Sequence, residues 1–404
     1  MVLKLQRSTL LVCALGATQI TGYGTVYYSF SILANDVARD FGRSSSWFFL
    51  AFSIALVAGG AIMPFAGRLF DRFGAARMMA LGSLLNAFFL VMTANMHAPW
   101  DFILGMSLIQ VCSGLMLYDA AFTTIVQSGI GGSQNMIMFL TLLAGLSSTL
   151  SWPLTTALDH ALGWRWTMLL FAALNLGLSF PLHYWIMRNF ARAAPGPTHA
   201  SEGQVPDGRA MDAATSRRLM WMVTAGFAIS GVTLSAILSQ MVPMLQALGM
   251  GSLSLLVSTL FGPAQVAMRG IQIFFGRYST PLAMTFLALI FLPLGLLILA
   301  LSAPALSGAV IFAVLVGLAS GLKSIVQGTV PLSIFGRKGY GSRIGIMSGV
   351  RYVASAMAPF AFSWFSELTS TRTAAYAFVV IGLVGLACFI DVVIVLRRQA
   401  LSRI

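Results

Sequence analysis

The chain has 404 residues, of which 58% are hydrophobic and 9% are charged, and its formal net charge is +13. Soluble domains carry about 25% charged residues, so a chain this apolar cannot hide its surface in one soluble core and must expose it to lipid. The positive charge would suggest a nucleic-acid partner in a soluble protein, but here the basic residues lie mostly between apolar stretches and no soluble basic module is available to bind one.

Twelve apolar stretches follow one another along the chain, and each is long enough to cross a bilayer, which takes about 20 residues. In chain order they occupy residues 8–34, 46–66, 78–96, 100–127, 136–158, 165–187, 219–247, 253–275, 281–301, 305–330, 343–366 and 372–396. The sequence therefore predicts an all-α membrane protein with twelve transmembrane helices.

A polar segment at residues 188–218, rich in proline, glycine and charge, separates the sixth span from the seventh. It reads as a cytoplasmic linker between an N-terminal six-helix half, 1–187, and a C-terminal six-helix half, 219–404. The halves resemble each other faintly, since Gly67-Arg68 has a counterpart in Gly276-Arg277 at the corresponding loop. Such a duplication is typical of transporters with two halves around a central site.

Basic residues are distributed unevenly over the predicted loops. One alternate set of loops, which includes both termini, contains most of the Lys and Arg residues, whereas the other set contains Arg39, Arg43, Arg165 and Arg372. Cytoplasmic loops carry the excess of basic residues, so both termini are expected to be cytoplasmic.

The loop after the second span combines glycines with charges of both signs. It reads Gly67-Arg-Leu-Phe-Asp-Arg-Phe-Gly74-Ala-Ala-Arg77, and its glycines allow tight turns and close approach of helices. Asp71 can interact with a helix end, Arg72, Arg77 or a neighbouring helix. We predict that this loop is a latch, which holds one conformation and releases in another; the alternative is a plain cytoplasmic turn.

The same loop resembles the signature loop of the major facilitator superfamily. Within that superfamily, the chain looks most like monocarboxylate transporters and bacterial oxalate–formate antiporters, on the basis of Tyr23, Tyr27 and Tyr28 in the first span, Arg269 in the eighth and Arg351 in the eleventh. The resemblance implies a fold in which spans one, four, seven and ten line a cavity, helped by two, five, eight and eleven. It also implies that the two arginines bind a carboxylate.

Four charged residues lie at one level inside predicted spans, where charge is expensive and usually marks function. At about 1.5 Å of rise per residue, Asp119, Arg269, Lys323 and Arg351 reach similar depths on spans four, eight, ten and eleven. We predict that they line one water-filled pocket in which the arginines bind an anion. Lys323 either contacts the substrate, serves coupling or pairs permanently with Asp119, and Asp119 is a proton carrier, a salt-bridge partner or both.

Polar and aromatic residues are predicted to form the wall of this pocket: Tyr23, Tyr27, Tyr28, Tyr118, Trp152, Gln240, Gln265 and Tyr352. Aromatic faces suit flat carboxylates, and tyrosine hydroxyls add donors, although aromatic residues in spans also pack or form interfacial belts. His183 is expected in such a belt. Asp391, on the last span, is expected to snorkel or to pair with Arg397.

The sequence contains no pattern for catalysis, nucleotide binding or metal binding. No Walker loop is present, no Ser–His–Asp set has supporting context, and the three cysteines and four histidines lack metal-ligand spacing. We therefore expect neither an enzyme nor a protein with a cofactor.

The features together favour a secondary active transporter of a small organic anion such as a carboxylate, coupled to protons or anions. The alternatives are uptake of a vitamin-like or aromatic metabolite such as a flavin, efflux of a toxic compound and, from another class, a non-transporting receptor or scaffold. The expected setting is the lipid bilayer of a bacterial inner membrane, and the expected state is a monomer.

Overall fold

A computed structural model of the chain describes residues 2–190, 211–275 and 279–401, and over these residues it consists of helices and short connections. The helices that precede the linker are α1 Val2–Tyr23, α2 Ser29–Asp40, α3 Ser45–Phe73, α4 Ala75–Ala94, α5 Pro99–Ser113, α6 Tyr118–Gln127, α7 Ser133–Ala144, α8 Ser147–Leu174 and α9 Phe180–Phe190. A π-helical turn, Gly24–Tyr28, joins α1 to α2, and a second, Asn175–Ser179, joins α8 to α9.

The helices that follow the linker are α10 Ala213–Leu245, α11 Leu253–Thr259, α12 Phe261–Phe275, α13 Pro281–Ser302, α14 Leu306–Phe335, α15 Tyr340–Ala356, α16 Ala358–Leu368 and α17 Thr371–Leu401. A third π-helical turn, Gln246–Met250, ends α10.

The helices account for twelve membrane passes. Nine helical stretches of the described chain are long and apolar enough to cross a bilayer. One of them, Ser133–Phe190, contains two passes because the backbone leaves the helical region at Gly163 (φ 77°). Two more passes, at residues 253–275 and 340–368, are interrupted near their middles and coincide with the predicted spans eight and eleven. The predicted all-helical membrane fold is confirmed.

The predicted linker is helical at both of its ends. Of residues 188–218, the first three belong to α9 and the last six to α10. Asp212 begins α10 as a capping residue, since its carboxylate accepts a hydrogen bond of 3.1 Å from the Thr215 amide. Residues 191–210 and the predicted loop copy Gly276-Arg277 lie outside the described residues.

The chain divides into two compact units. Unit 1 comprises Met1–Asp207 and Gly336–Gly349, and unit 2 comprises Gly208–Phe335 and Val350–Ile404. Residues 336–349, which the sequence places in the second half, therefore pack with the first unit, and α15 belongs to unit 1 up to Gly349 and to unit 2 beyond it.

Two glutamines brace the irregular places of spans one and four in unit 1. Gln110 on α5 donates to the Val26 carbonyl in the first π-helical turn at 2.7 Å. Gln19 on α1 donates at 2.8 Å to the Met116 carbonyl, which lies in the break between α5 and α6. Both side chains are buried. Each glutamine thus donates to a carbonyl at an irregular place of another helix, where the membrane interior offers no water.

The first two π-helical turns also contact each other. Asn175 donates to the Thr25 hydroxyl at 2.9 Å, and the Thr25 hydroxyl donates to the Thr21 carbonyl at 2.9 Å. Ser147 on α8 donates to the Ile20 carbonyl at 2.8 Å. Polar side chains from three other spans therefore hold the middle of the first span in one conformation.

We predict that replacing Gln110 by alanine destabilises unit 1. The substitution leaves the buried Val26 carbonyl without its donor, which lowers the free energy of unfolding by about 1–2 kcal/mol. Thermal unfolding in detergent measures this as a lower melting temperature. Asn95→Ala is the control, because Asn95 is exposed and bonds only one turn back, to the Val91 carbonyl. Equal melting temperatures for Gln110→Ala and Asn95→Ala would contradict the bracing role.

Candidate functional site

Unit 2 holds three of the four predicted intramembrane charges. Arg269 on α12 and Lys323 on α14 are both 5% exposed, and Arg351 on α15 is half-buried. Lys323 and Arg351 lie within electrostatic reach of each other. Unit 2 therefore carries the three predicted basic residues on three of its helices, with Lys323 and Arg351 near each other.

Arg269 is held against α14 by a serine. Its Nε donates to the Ser324 hydroxyl at 3.2 Å. One helical turn earlier, the Gln265 amide donates to the Ser320 hydroxyl at 2.6 Å. The predicted wall residue Gln265 and the predicted anion ligand Arg269 therefore lie on one face of α12, which is the face that packs on α14.

Arg351 packs between an aromatic ring and α10. Its guanidinium carbon lies 4.3 Å from the ring centroid of Tyr352, a cation–π geometry. A Cβ atom at Gly231 would stand 3.0 Å from the Arg351 Cγ, so α10 and α15 are in close contact here. The predicted wall residue on α10, Gln240, bonds to α16 through the Ser363 hydroxyl at 2.7 Å.

Lys323 is buried beside a small cavity. The cavity of about 10 Å³ lies between α10, α13 and α14 and is bordered by Ser230 and Thr285 as well as Lys323. Within the described residues, the Lys323 amine has neither a hydrogen-bond nor an ion-pair partner. If it is charged, an amine in this position requires water or an anion.

The acidic residues of unit 2 lie away from these cations. They are Asp212, which caps the start of α10, Glu367 at the end of α16 and Asp391 on α17. Asp391 accepts two hydrogen bonds from Arg218, at 2.8 and 2.9 Å. The expected pairing of Asp391 with Arg397 was therefore wrong, because α10 presents Arg218 to it from a neighbouring helix.

The predicted aromatic residues of unit 1 form one cluster. Tyr23, Tyr27 and Tyr28 contact one another with ring centroids 5.4–6.4 Å apart, and Trp152 lies 6.0 Å from Tyr28. Tyr118 joins the cluster at 4.8 Å from Tyr23. Tyr27 and Trp152 are 42% and 49% exposed, so the cluster has an accessible surface. The first π-helical turn contributes two of its rings, and such turns are frequent at functional sites.

Asp119 lies beside this cluster at the start of α6. The helix begins at Tyr118 after the break that follows Ser113, and the carboxylate is in its first turn, where a negative charge is favoured. Asp119 is buried, and its Oδ1 accepts a hydrogen bond of 2.9 Å from Ser348 on α15. The sequence did not predict the helix break or this serine.

Asp71 binds the beginning of α15. Its carboxylate accepts hydrogen bonds from the Gly341 amide at 3.0 Å, the Ser342 amide at 2.7 Å and the Ser342 hydroxyl at 2.5 Å. These amides belong to the first turn of a helix, where they have no partner within the helix. Of the partners that the sequence allowed for Asp71, the neighbouring helix is the one in contact.

The glycine-flanked loop is packed closely against α15. A Cβ atom at Gly67 would overlap the Gly341 carbonyl oxygen, and one at Gly345 would stand 2.9 Å from the Gly67 Cα. Gly74 has φ 90° and ends α3. The basic members of the loop face outward, where Arg72 lies 5.1 Å from the Phe73 ring centroid and Arg77 is exposed.

Two further polar residues of unit 1 have contacts that the sequence did not predict. Gln127 accepts from the Ala75 amide at 2.7 Å and donates to the Phe70 carbonyl at 2.8 Å, so it fixes the turn around Gly74. His183, which was expected in an interfacial belt, is instead fully buried with its Nδ1 2.5 Å from the Ser83 hydroxyl. His183 faces α4 rather than lipid, an orientation set by helix packing.

A model of the Major Facilitator Superfamily matches residues 15–322 of the chain. Comparison with curated proteins finds no match.

Solved structures of similar fold cover nearly the whole chain. The E. coli fucose:proton symporter FucP is 14% identical with a TM-score of 0.69, covering 96% of this chain and 99% of its own. The human organic anion transporter MFSD10 is 16% identical with a TM-score of 0.68, covering 95% and 99%. The proton:xylose symporter XylE is 14% identical with a TM-score of 0.65, covering 94% of each chain. At these identities the likeness shows the fold.

We predict that Asp71→Asn loosens the beginning of α15 without unfolding the protein. Asparagine keeps one acceptor oxygen but loses the negative charge that the helix amides favour. Hydrogen exchange of residues 340–345 should become faster in the variant, and the melting temperature should fall only slightly. Asp101→Asn is the control, since Asp101 is an exposed carboxylate in the first turn of α5. Unchanged exchange at the start of α15 would exclude a role for the charge.

Proposed function

The chain belongs to the major facilitator superfamily, and we propose that it is a secondary active transporter of a small organic anion of the carboxylate class. The observation that carries the proposal is the charge distribution of unit 2. Three basic residues, Arg269, Lys323 and Arg351, lie inside its spans. Of its three acidic residues, two lie at helix ends and Asp391 is hydrogen-bonded to Arg218.

The chemistry of the three cations favours a carboxylate. A guanidinium presents paired N–H donors that match the two oxygens of a carboxylate. Burial strengthens such a contact, because little water competes for it. Arginines at these places also support the proposed likeness to monocarboxylate transporters and oxalate–formate antiporters. Among proteins of this fold, MFSD10 is described as an organic anion transporter, while FucP and XylE are described as proton symporters.

The proposed transport cycle is alternating access with proton or anion coupling. A bound anion neutralises part of the positive charge of unit 2, so the state that encloses the substrate is favoured only when substrate is present. Asp119 is the proposed proton carrier. It is a buried carboxylate with a hydroxyl partner, Ser348, and an aromatic neighbour, Tyr118.

One helix links the proposed latch to the proposed anion site. Gly341 and Ser342 at the start of α15 bind Asp71, and Arg351 follows nine residues later, about 14 Å along the same helix. Because a helix moves nearly as a rigid rod over this length, release of Asp71 would shift Arg351. We propose that Gly67, Asp71, Arg72, Gly74 and Arg77 form a latch that acts through α15.

The protein is a multi-pass membrane protein, and we propose both its orientation in the membrane and the membrane in which it lies. The excess of basic residues in alternate loops supports cytoplasmic termini, and we propose the inner membrane of a bacterium as the location. A single chain already contains both units, so a monomer suffices for the proposed cycle.

A second candidate substrate is a larger aromatic metabolite such as a flavin. It is favoured by the tyrosine and tryptophan cluster of unit 1, whose partly exposed rings could stack on a flat ligand. In this alternative the cations of unit 2 serve gating.

We predict that Arg269→Gln and Arg351→Gln each reduce uptake of the native anion at least tenfold, because each removes a charged donor to a carboxylate. Arg269→Lys keeps the positive charge but loses the paired N–H donors of the guanidinium, so KM should rise while the protein stays folded. The measurement is uptake of labelled carboxylates into vesicles at matched abundance. Arg398→Gln, an exposed site on α17, controls for net charge. If both glutamine variants transport the native substrate normally, the anion proposal fails and the aromatic metabolite takes its place.

We predict that Asp119→Asn abolishes proton-driven accumulation and spares substrate exchange, because the amide cannot bind and release a proton. Asp119→Glu, which keeps a titratable group, should retain part of the accumulation. Both are measured in vesicles with an imposed pH gradient and then with substrate on both sides. Unchanged pH-dependent accumulation in Asp119→Asn would assign Asp119 a structural role.

A further inference from the structure

The contact between α12 and α14 has a regular ladder of side-chain hydrogen bonds. Gln265 and Arg269 are one turn apart on α12, and they donate to Ser320 and Ser324, which are one turn apart on α14. Both bonds join residues 55 positions apart, so the two helices keep one register over this stretch. The ladder makes the position of Arg269 dependent on α14.

Small residues bring the two helix backbones together at the ladder. A Cβ atom at Gly317 would stand 2.6 Å from the Phe261 carbonyl oxygen, and one at Gly321 would stand 2.6 Å from the Gln265 carbonyl oxygen. Such close contact leaves the helices little freedom to slide or rotate. Ser324 therefore meets Arg269 from a rigid support.

The Ser324 hydroxyl has a fixed orientation. It donates to the Gly321 carbonyl of its own helix at 2.8 Å, so its proton is used and its lone pairs face outward. It accepts the Arg269 Nε–H at 3.2 Å. Because Nε sits at the root of the guanidinium plane, this bond determines the direction of the plane as well as its location.

We propose that Ser324 is a positioning residue for anion binding, which holds the Arg269 guanidinium in the orientation that meets the substrate carboxylate. The inference rests on the proposed function. A guanidinium can bind a carboxylate through Nη1 and Nη2 or through Nε and one Nη. Ser324 engages the Nε–H, so it acts on the orientation of whichever edge meets the carboxylate.

The advantage of this arrangement is preorganisation. A free arginine side chain has many rotamers, and a ligand that selects one of them loses affinity. Ser324 restricts those rotamers before the anion arrives, so the hydroxyl strengthens binding without touching the substrate. This role concerns affinity and leaves the later steps of the cycle unchanged.

The test compares Ser324→Ala with Ser333→Ala in reconstituted vesicles, with a labelled carboxylate that the wild-type protein transports. Ser333 lies on the same helix and makes the same kind of bond, to the Val330 carbonyl at 2.9 Å. We expect Ser324→Ala to raise KM about tenfold with the maximal rate changed less than about twofold. Ser333→Ala should match the wild type, and Ser324→Thr, which keeps the hydroxyl, should recover most of the affinity.

A double-mutant cycle separates positioning from general packing. In an Arg269→Lys background, which has no Nε–H, Ser324→Ala should cause no further rise in KM. The proposal is overturned if the KM of Ser324→Ala is unchanged, or if its maximal rate falls by as large a factor as its KM rises. It is also overturned if the two substitutions act independently in the double mutant. These outcomes differ from failure of the proposed function, which would show as normal transport of the anion by Arg269→Gln.

Discussion

A charge inside a membrane needs water, a counter-charge or a ligand, and this constraint organises unit 2. Arg269 and Lys323 are almost fully buried, while the acidic residues of the same unit lie at helix ends or on Arg218. Evolution rarely tolerates such a distribution unless it serves a function, because a desolvated charge is expensive. The proposed anion would satisfy the constraint for part of the cycle, and the proposed role of Ser324 is to orient one guanidinium for it.

Backbone carbonyl groups inside a membrane also need hydrogen-bond donors, and this requirement explains the polar contacts in the middle of unit 1. The first span contains a π-helical turn and the fourth is broken, and a membrane interior offers no water to the carbonyl groups at such places. Gln110 and Gln19 supply donors across the gap between these helices. Once these irregularities are stabilised, they place the tyrosine cluster and the Asp119 carboxylate beside one another, which a pair of straight helices would not do.

The helix α15 joins these two regions of chemistry along the chain. Its first turn satisfies the Asp71 carboxylate, its next turns pack on α3 through glycines, and its later part carries Ser348 and Arg351. The proposed proton carrier Asp119 and the proposed latch residue Asp71 thus both contact the helix that carries Arg351.

The sequence by itself determined the class of the protein. Hydropathy over windows of about 20 residues depends only on local composition, so the twelve passes could be counted, and the glycine-flanked loop identified the superfamily. The intramembrane charges and the tyrosines of the first span were also visible as residue types. The tertiary structure decided their partners: Ser324 for Arg269, the start of α15 for Asp71, Arg218 for Asp391 and Ser83 for His183. These contacts depend on the rotation of each helix about its axis and on the register in which it meets its neighbours. A span that is apolar on every side has little sequence periodicity from which its rotation or register could be predicted.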